Sequence, residues 1–163
     1  MTSSTSSNLL IPNLSPREAI TDAIYRAVTA IDSNDAELWA TAASKDITFE
    51  FKPGDRALDY DALWAFVTNK FHAHFLVQDT THITSNIRIF YTPGQTTARA
   101  TFHSMNQHYN LGTGGDLGAP HFLVAGLSAV DLVQDTVDGV EVWKFRKWVL
   151  NRSWVQGDFS VLQ

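Results

Sequence analysis

Helical periodicity fills the first half of this chain and strand alternation the second, and that order constrains the fold more than any single residue does. Ser15-Pro16-Arg17-Glu18 opens a helix: Ser15 caps, Pro16 suits the first position, and Glu18 completes a capping box. Ile20, Ile24, Val28 and Ile31 then recur at helical spacing, to about Asp32. A shorter helix begins at Asp35 and carries Leu38, Trp39 and Ala42. Residues 47–51 alternate as a strand, and Pro53-Gly54-Asp55 turns the chain. A third helix is expected from about 59 to 74, with Leu63, Phe66, Val67 and Phe71.

From there the period changes from 3.6 to 2. Strands are expected over 80–91, 98–109, 121–134 and 142–154, with turns at Pro93-Gly94 and Asp138-Gly139 and a glycine-rich loop over 112–118. Helices followed by long antiparallel strands make an α+β domain, with three helices on one face of a curved sheet. Residues 1–14 read as a disordered tail and 15–163 as the domain. The 121–134 strand is apolar on both faces, with Phe122, Val124 and Val130 on one and Leu123, Leu127 and Val133 on the other. A second subunit over the outer face would account for that, so a homodimer or higher homo-oligomer is expected.

Composition narrows the function. There is no cysteine, which removes disulfides, thiolate metal sites and cysteine nucleophiles. Net charge is −5 and the basic residues are scattered, so no nucleic-acid footprint is present. No apolar run reaches membrane-spanning length and the polar N-terminus does not read as a signal peptide, so a cytoplasmic protein is expected. No glycine-rich turn joins a strand to a helix, no metal-ligand spacing occurs, and no serine sits in a nucleophile elbow. Neither a cofactor nor a metal is called for, and the expected partner is a small hydrophobic substrate.

The candidate site starts from residues 98–109. One face of that strand carries Ala98, Ala100, Phe102, Ser104, Asn106 and His108, so it begins small and apolar and becomes polar toward its end. A strand running from a packed base into a ligand cavity has that profile. Asp32 lies on or beside the buried stripe of the first helix. It either caps the following helix or pairs with a buried histidine. His82 opens a strand with awkward parity: its own face would carry Thr84, Asn86 and Arg88, while Ile83, Ile87 and Ile89 look like the core side. A bulge near Ser85-Asn86 would resolve the conflict; otherwise His82 is exposed. His72, His74, His103 and His121 have no supporting pattern and read as surface or structural.

Residues 30–39, the Thr81-His82-Ile83…Thr84-Ser85-Asn86…Ile87-Arg88-Ile89 strand and the closing Trp143-Lys144-Phe145 and Arg152–Asp158 segments resemble the SnoaL-like family of the nuclear transport factor two-like superfamily. The resemblance spans about 15–160. It implies a cone: a strongly bent mixed sheet around three helices, with a pocket between. The active-site pattern is similar to that of scytalone dehydratases. The resemblance matches their helix aspartate to Asp32 and their strand histidines to His82 and His108, and implies that Asp32 orients His108. Their two tyrosines fall at Ile31 and Phe51, and their strand asparagine near Leu127 or Ser128. Loss of both tyrosines points away from the same reaction on the same substrate.

The expected function is therefore cofactor-free dehydration, cyclisation or isomerisation of a polyketide- or terpenoid-like intermediate. His108, Asp32 and His82 would be catalytic, with Asn106, Ser104, Phe102, Phe51, Trp64, Phe66, Tyr109, Ser128 and Asp131 around the substrate. A non-catalytic binding or scaffold module of the same fold is the alternative. Epoxide hydrolysis, using Asp32 and Asp131 with Arg88 or Arg99, ranks third.

Overall fold

The computed structural model describes residues 9–71 and 79–162, with side chains 69–71 also left undescribed. The element order is α1 (Pro16–Ser33), α2 (Ala36–Ala42), β1 (Ala43–Glu50), α3 (Tyr60–Phe71), β2 (Asp79–Phe90), β3 (Thr97–Tyr109), β4 (His121–Val137), β5 (Val140–Gly157) and a closing 3₁₀ turn, Phe159–Leu162. The end of the expected third helix, with His72 and His74, and residues 1–8 of the expected tail lie outside the described residues.

The local signals act as read. Glu18 N donates to Ser15 Oγ at 3.4 Å and Ser15 N to Glu18 Oε2 at 2.8 Å, closing the capping box. Asn34, in the left-handed region with φ 52°, ends α1. Asp35 then caps α2 by accepting from Leu38 N at 2.9 Å. Asp138 and Gly139 both have positive φ, 49° and 83°, as a two-residue hairpin turn matched to strand twist requires. Three strands are longer than the alternation predicts: β1 starts at Ala43, directly after α2, β4 runs on to Val137, and β5 spans Val140–Gly157.

The sheet order is β1-β5-β4-β3-β2. β1 lies parallel to β5 and every other pairing is antiparallel, so the sheet is mixed. α1 buries Ile20, Ala23, Ile24, Ala27, Val28, Ala30 and Ile31 against it, together with Trp39, Phe102, Leu132 and Phe145. Arg26 is buried in the same layer. It pairs with Asp22 at 2.6 Å and donates to Thr41 Oγ1 at 2.9 Å, to the Thr41 carbonyl and to the Trp143 carbonyl at 3.0 Å. One guanidinium thereby ties α1 to α2 and β5.

Register shifts between Ser85 and Arg88, where Asn86 has φ 54°. This is the bulge that the parity of β2 requires. It lets Thr80, His82 and Thr84 face inward before it and Ile87 and Ile89 after it, while Ile83 is exposed. The outer face of the sheet carries Ile83, Met105 and Trp154 as exposed apolar groups, in one register row with Ala125.

Candidate active site

A cavity of about 480 Å³ lies between β3, β4, β5, α3, the 52–55 turn and the closing 3₁₀ turn. Phe51, Phe66, Phe122, Val124, Leu150, Phe159 and Leu162 form its apolar wall, and Asn106 and His108 supply polar groups from β3. Strand register explains the set. His108 pairs with Phe122 and Asn106 with Val124, so all four share the inner face.

Behind His108 stands a half-buried pair. The His82 Nδ1–H donates to Asp32 Oδ1 at 2.5 Å, and the His82 backbone N–H donates to Asp32 Oδ2 at 2.9 Å. The His82 side chain is 7% exposed and that of Asp32 24%. A carboxylate gripping both backbone and ring fixes where the ring points and which nitrogen holds the proton. The last turn of α1 supplies the aspartate, and Asp35, not Asp32, caps α2. The resemblance implied that Asp32 orients His108; the geometry corrects this, since the partner is His82, brought inward by the bulge.

His108 is 1% exposed. Its ring meets that of His82 edge to face, with centroids 5.6 Å apart, and lies roughly parallel to that of Phe122. Its Nδ1 is 2.7 Å from Thr80 Oγ1, its register partner on β2. Burial first, and the neighbouring His82 second, lower its pKa to about 3. The unfolded chain would take up this proton near 6.5, the folded chain only near 3. The unfolded state thus binds more protons between those values, so this stabilisation is complete above pH 6.5 and falls as the pH drops toward 3. Urea unfolding should show wild type less stable at pH 5 than at pH 7, and His108→Gln should reduce that difference.

A hydroxyl donating to Nδ1 leaves the proton of a neutral imidazole on Nε2. Imidazole ¹⁵N spectra should therefore show His108 as the Nε2–H tautomer. Thr80→Val should give a tautomer mixture, and Thr80→Ser should restore the single form.

The remaining expected site residues divide by strand face and depth. Phe51, Phe66, Asn106 and His108 line the cavity. Ser104 shares their face but is buried one step deeper, outside the cavity wall. Phe102 is fully buried in the core, its ring tilted against Trp148 at 6.4 Å. Trp64 stacks on Trp39 at 5.6 Å instead of lining the cavity. Ser128 is fully buried, accepting from Trp148 Nε1 at 3.0 Å. Tyr109 points to the opposite face, as its odd position in β3 demands, and accepts from Gln107 Nε2 at 2.8 Å. Asp131 pairs with Arg99 at 3.2 Å on the exposed side, which leaves the Asp–Arg–Asp arrangement for epoxide hydrolysis without a common pocket.

Sequence reasoning missed Thr80, which needed the β2–β3 register, and the cavity-lining Lys52, Asp55, Phe122, Val124, Leu150, Asn151, Arg152, Phe159 and Leu162. Those nine needed the paths of the 52–55 turn, β4, β5 and the last turn relative to β3, for which no local pattern speaks.

A bent mixed sheet packed on three helices, with His108 in the cavity wall and the Asp32–His82 pair behind it, makes a cone-shaped α+β fold. The chain belongs to the SnoaL-like domain family, whose model matches residues 12–149. It is 36% identical over 152 residues to terrestric acid biosynthesis cluster protein E of Penicillium crustosum, covering 93% of this chain and 92% of that protein. The fold is shared with a Novosphingobium aromaticivorans protein provisionally named a scytalone dehydratase, with TM-score 0.67, 21% identity and 87% of each chain covered. It is also shared with the hexachlorocyclohexane dehydrochlorinase LinA-type3 of Novosphingobium barchaimii, with TM-score 0.64, 17% identity and 88% and 90% covered.

Proposed function

We propose that this chain is a cofactor-independent lyase or isomerase of secondary metabolism, acting by proton transfer on a hydrophobic polyketide- or terpenoid-like intermediate. The observation that carries this reading is buried His108 in the wall of an apolar cavity, with the ring of His82, held by Asp32 and outside that wall, edge to face against it. His82, with its Nδ1–H held by Asp32, exchanges a proton through Nε2 and is the general base. His108 donates a hydrogen bond from Nε2–H to a substrate oxygen and stabilises the charge that develops there. In a dehydration, the C–H bonding pair becomes the new double bond, the hydroxyl departs with its electrons, and the proton held by His82 returns to it as water forms. Cyclisation or isomerisation uses the same base and donor with a different proton destination. The aromatic wall excludes water from the intermediate.

The relative named for a biosynthesis cluster supports the metabolic setting. The dehydratase and dehydrochlorinase names of two fold neighbours agree with elimination. A second copy of the chain against the exposed Ile83, Met105 and Trp154 row belongs to the same reading, because a contiguous apolar face is poorly left to water. Among the described residues no helix is long and apolar enough to cross a membrane.

The test is genetic and then chemical. Deleting the gene in its own organism should make one biosynthetic intermediate accumulate. The purified chain alone should convert that compound. Binding of the compound without conversion would instead make the chain a carrier.

A further inference from the structure

The register of β4 and β5 shifts at one place near the cavity. Ala125 pairs with Trp154 and Gly126 with Arg152, so Ser153 is an extra residue. Simple alternation would put residues 152 and 154 on one face. The bulge separates them: Trp154 stays outside in the row with Ala125 and Met105, while Arg152 turns to line the cavity. Gly126 permits the close passage, since a Cβ there would sit 2.5 Å from the Asn151 carbonyl oxygen. Sheet bulges beside active sites commonly re-aim one side chain in this way.

The charges around this position are not balanced. Three charged side chains line the cavity: Lys52, Asp55 and Arg152. Lys52 and Asp55 face each other at 3.8 Å. Arg152 has no carboxylate within ion-pair distance among the described residues. Among the described residues Arg26, Arg99 and Arg146 are ion-paired, while Arg17, Arg56 and Arg88, like Arg152, are not, but of these four only Arg152 lines this cavity. Deeper in the same cavity, Asn106 is 7% exposed and its Oδ1 accepts no hydrogen bond among the described residues. A buried amide oxygen without a donor is costly unless a ligand brings one.

We propose that Arg152 and Asn106 determine specificity in this cavity, selecting a largely apolar substrate that carries a carboxylate, or an oxyanion of similar geometry, at one end and a hydroxyl donor toward the other. The guanidinium fork suits a planar oxyanion, and Asn106 Oδ1 accepts from the hydroxyl. This rests on the cavity being the substrate site proposed above, although it makes no use of the proton chemistry.

Matched planar aromatic acids and their primary amides, each with and without a ring hydroxyl, are the probes, with naphthoic acid and naphthamide as the parent pair. Calorimetric titration of the full chain should show acids binding at least about tenfold more tightly than amides, the usual worth of a charge-assisted hydrogen bond. That preference should weaken with salt. Arg152→Gln should abolish it and Arg152→Lys should retain part of it. Arg152 is exposed and has no ion pair among the described residues, so both variants should keep the wild-type melting temperature. Asn106→Leu should remove the advantage of the ring hydroxyl. His82→Ala should keep the acid preference, so loss of catalysis and loss of anion recognition are separable. Equal affinity for acid and amide, an acid preference that survives Arg152→Gln, or no binding by any acid would overturn the proposal.

Discussion

His82→Ala is expected to lower turnover of the accumulated intermediate by ~10²–10⁴-fold, the range over which a positioned acid or base contributes. The reason is geometric. Asp32 holds both the backbone N–H and the ring Nδ1–H of His82, so the ring has one orientation and one tautomer before substrate arrives. Asp32→Asn keeps the shape but puts an amide where the carboxylate stood, and it should also lose at least ~10²-fold. The two losses should not add in the double variant, because both remove the same base. The measurement is single-turnover kinetics with the purified intermediate. Near-wild-type rates in both single variants would leave the pair a structural hydrogen bond and return the cavity to a binding role.

Arg26→Ala is expected to destabilise the fold by roughly 3–5 kcal/mol, the cost of breaking a buried ion pair from one side. For a chain of this size that is a fall in melting temperature on the order of 10 °C. The substitution leaves Asp22 without its counter-ion and the Thr41 and Trp143 carbonyls without a donor, inside a layer that admits little water. Arg26→Met restores most of the volume and should recover little. Arg26→Met with Asp22→Leu should recover more, because no uncompensated charge remains. Thermal unfolding by circular dichroism reads all three. A melting temperature unchanged in Arg26→Ala would show that the guanidinium cluster contributes nothing net.

The two predictions differ in how far they were visible beforehand. Nothing in the sequence marks Arg26 as buried: it lies on α1 among residues of ordinary helical pattern, and its four acceptors come from α2 and β5 as well as its own helix. Asp32 and the two histidines were visible, but their pairing was not. Alternation along β3 placed His108 inward because that strand runs regularly across the site. His82 sits next to a bulge, and a bulge changes parity without leaving a sequence mark beyond an Asn able to adopt positive φ. The same limitation hid Arg152, which a bulge in β5 turns inward. Phe102 and Ser128 were expected around the substrate because alternation gives a face but not a depth, and both lie fully buried in the packed layer. Trp64, on α3, is partly buried and stacks on Trp39 instead.

By itself the sequence determined the order of helices and strands, the caps and hairpin turn, and the inner face of β3, because these depend on residues adjacent along the chain. Only the tertiary structure decided that Asp32 holds His82, that Thr80 meets His108, and that Arg152 faces the cavity while Asp131 and Tyr109 do not. Those outcomes depend on how strands far apart in sequence align. A single extra residue in a strand reverses every side chain beyond it, and where that residue is accommodated is settled by packing against the neighbouring strands.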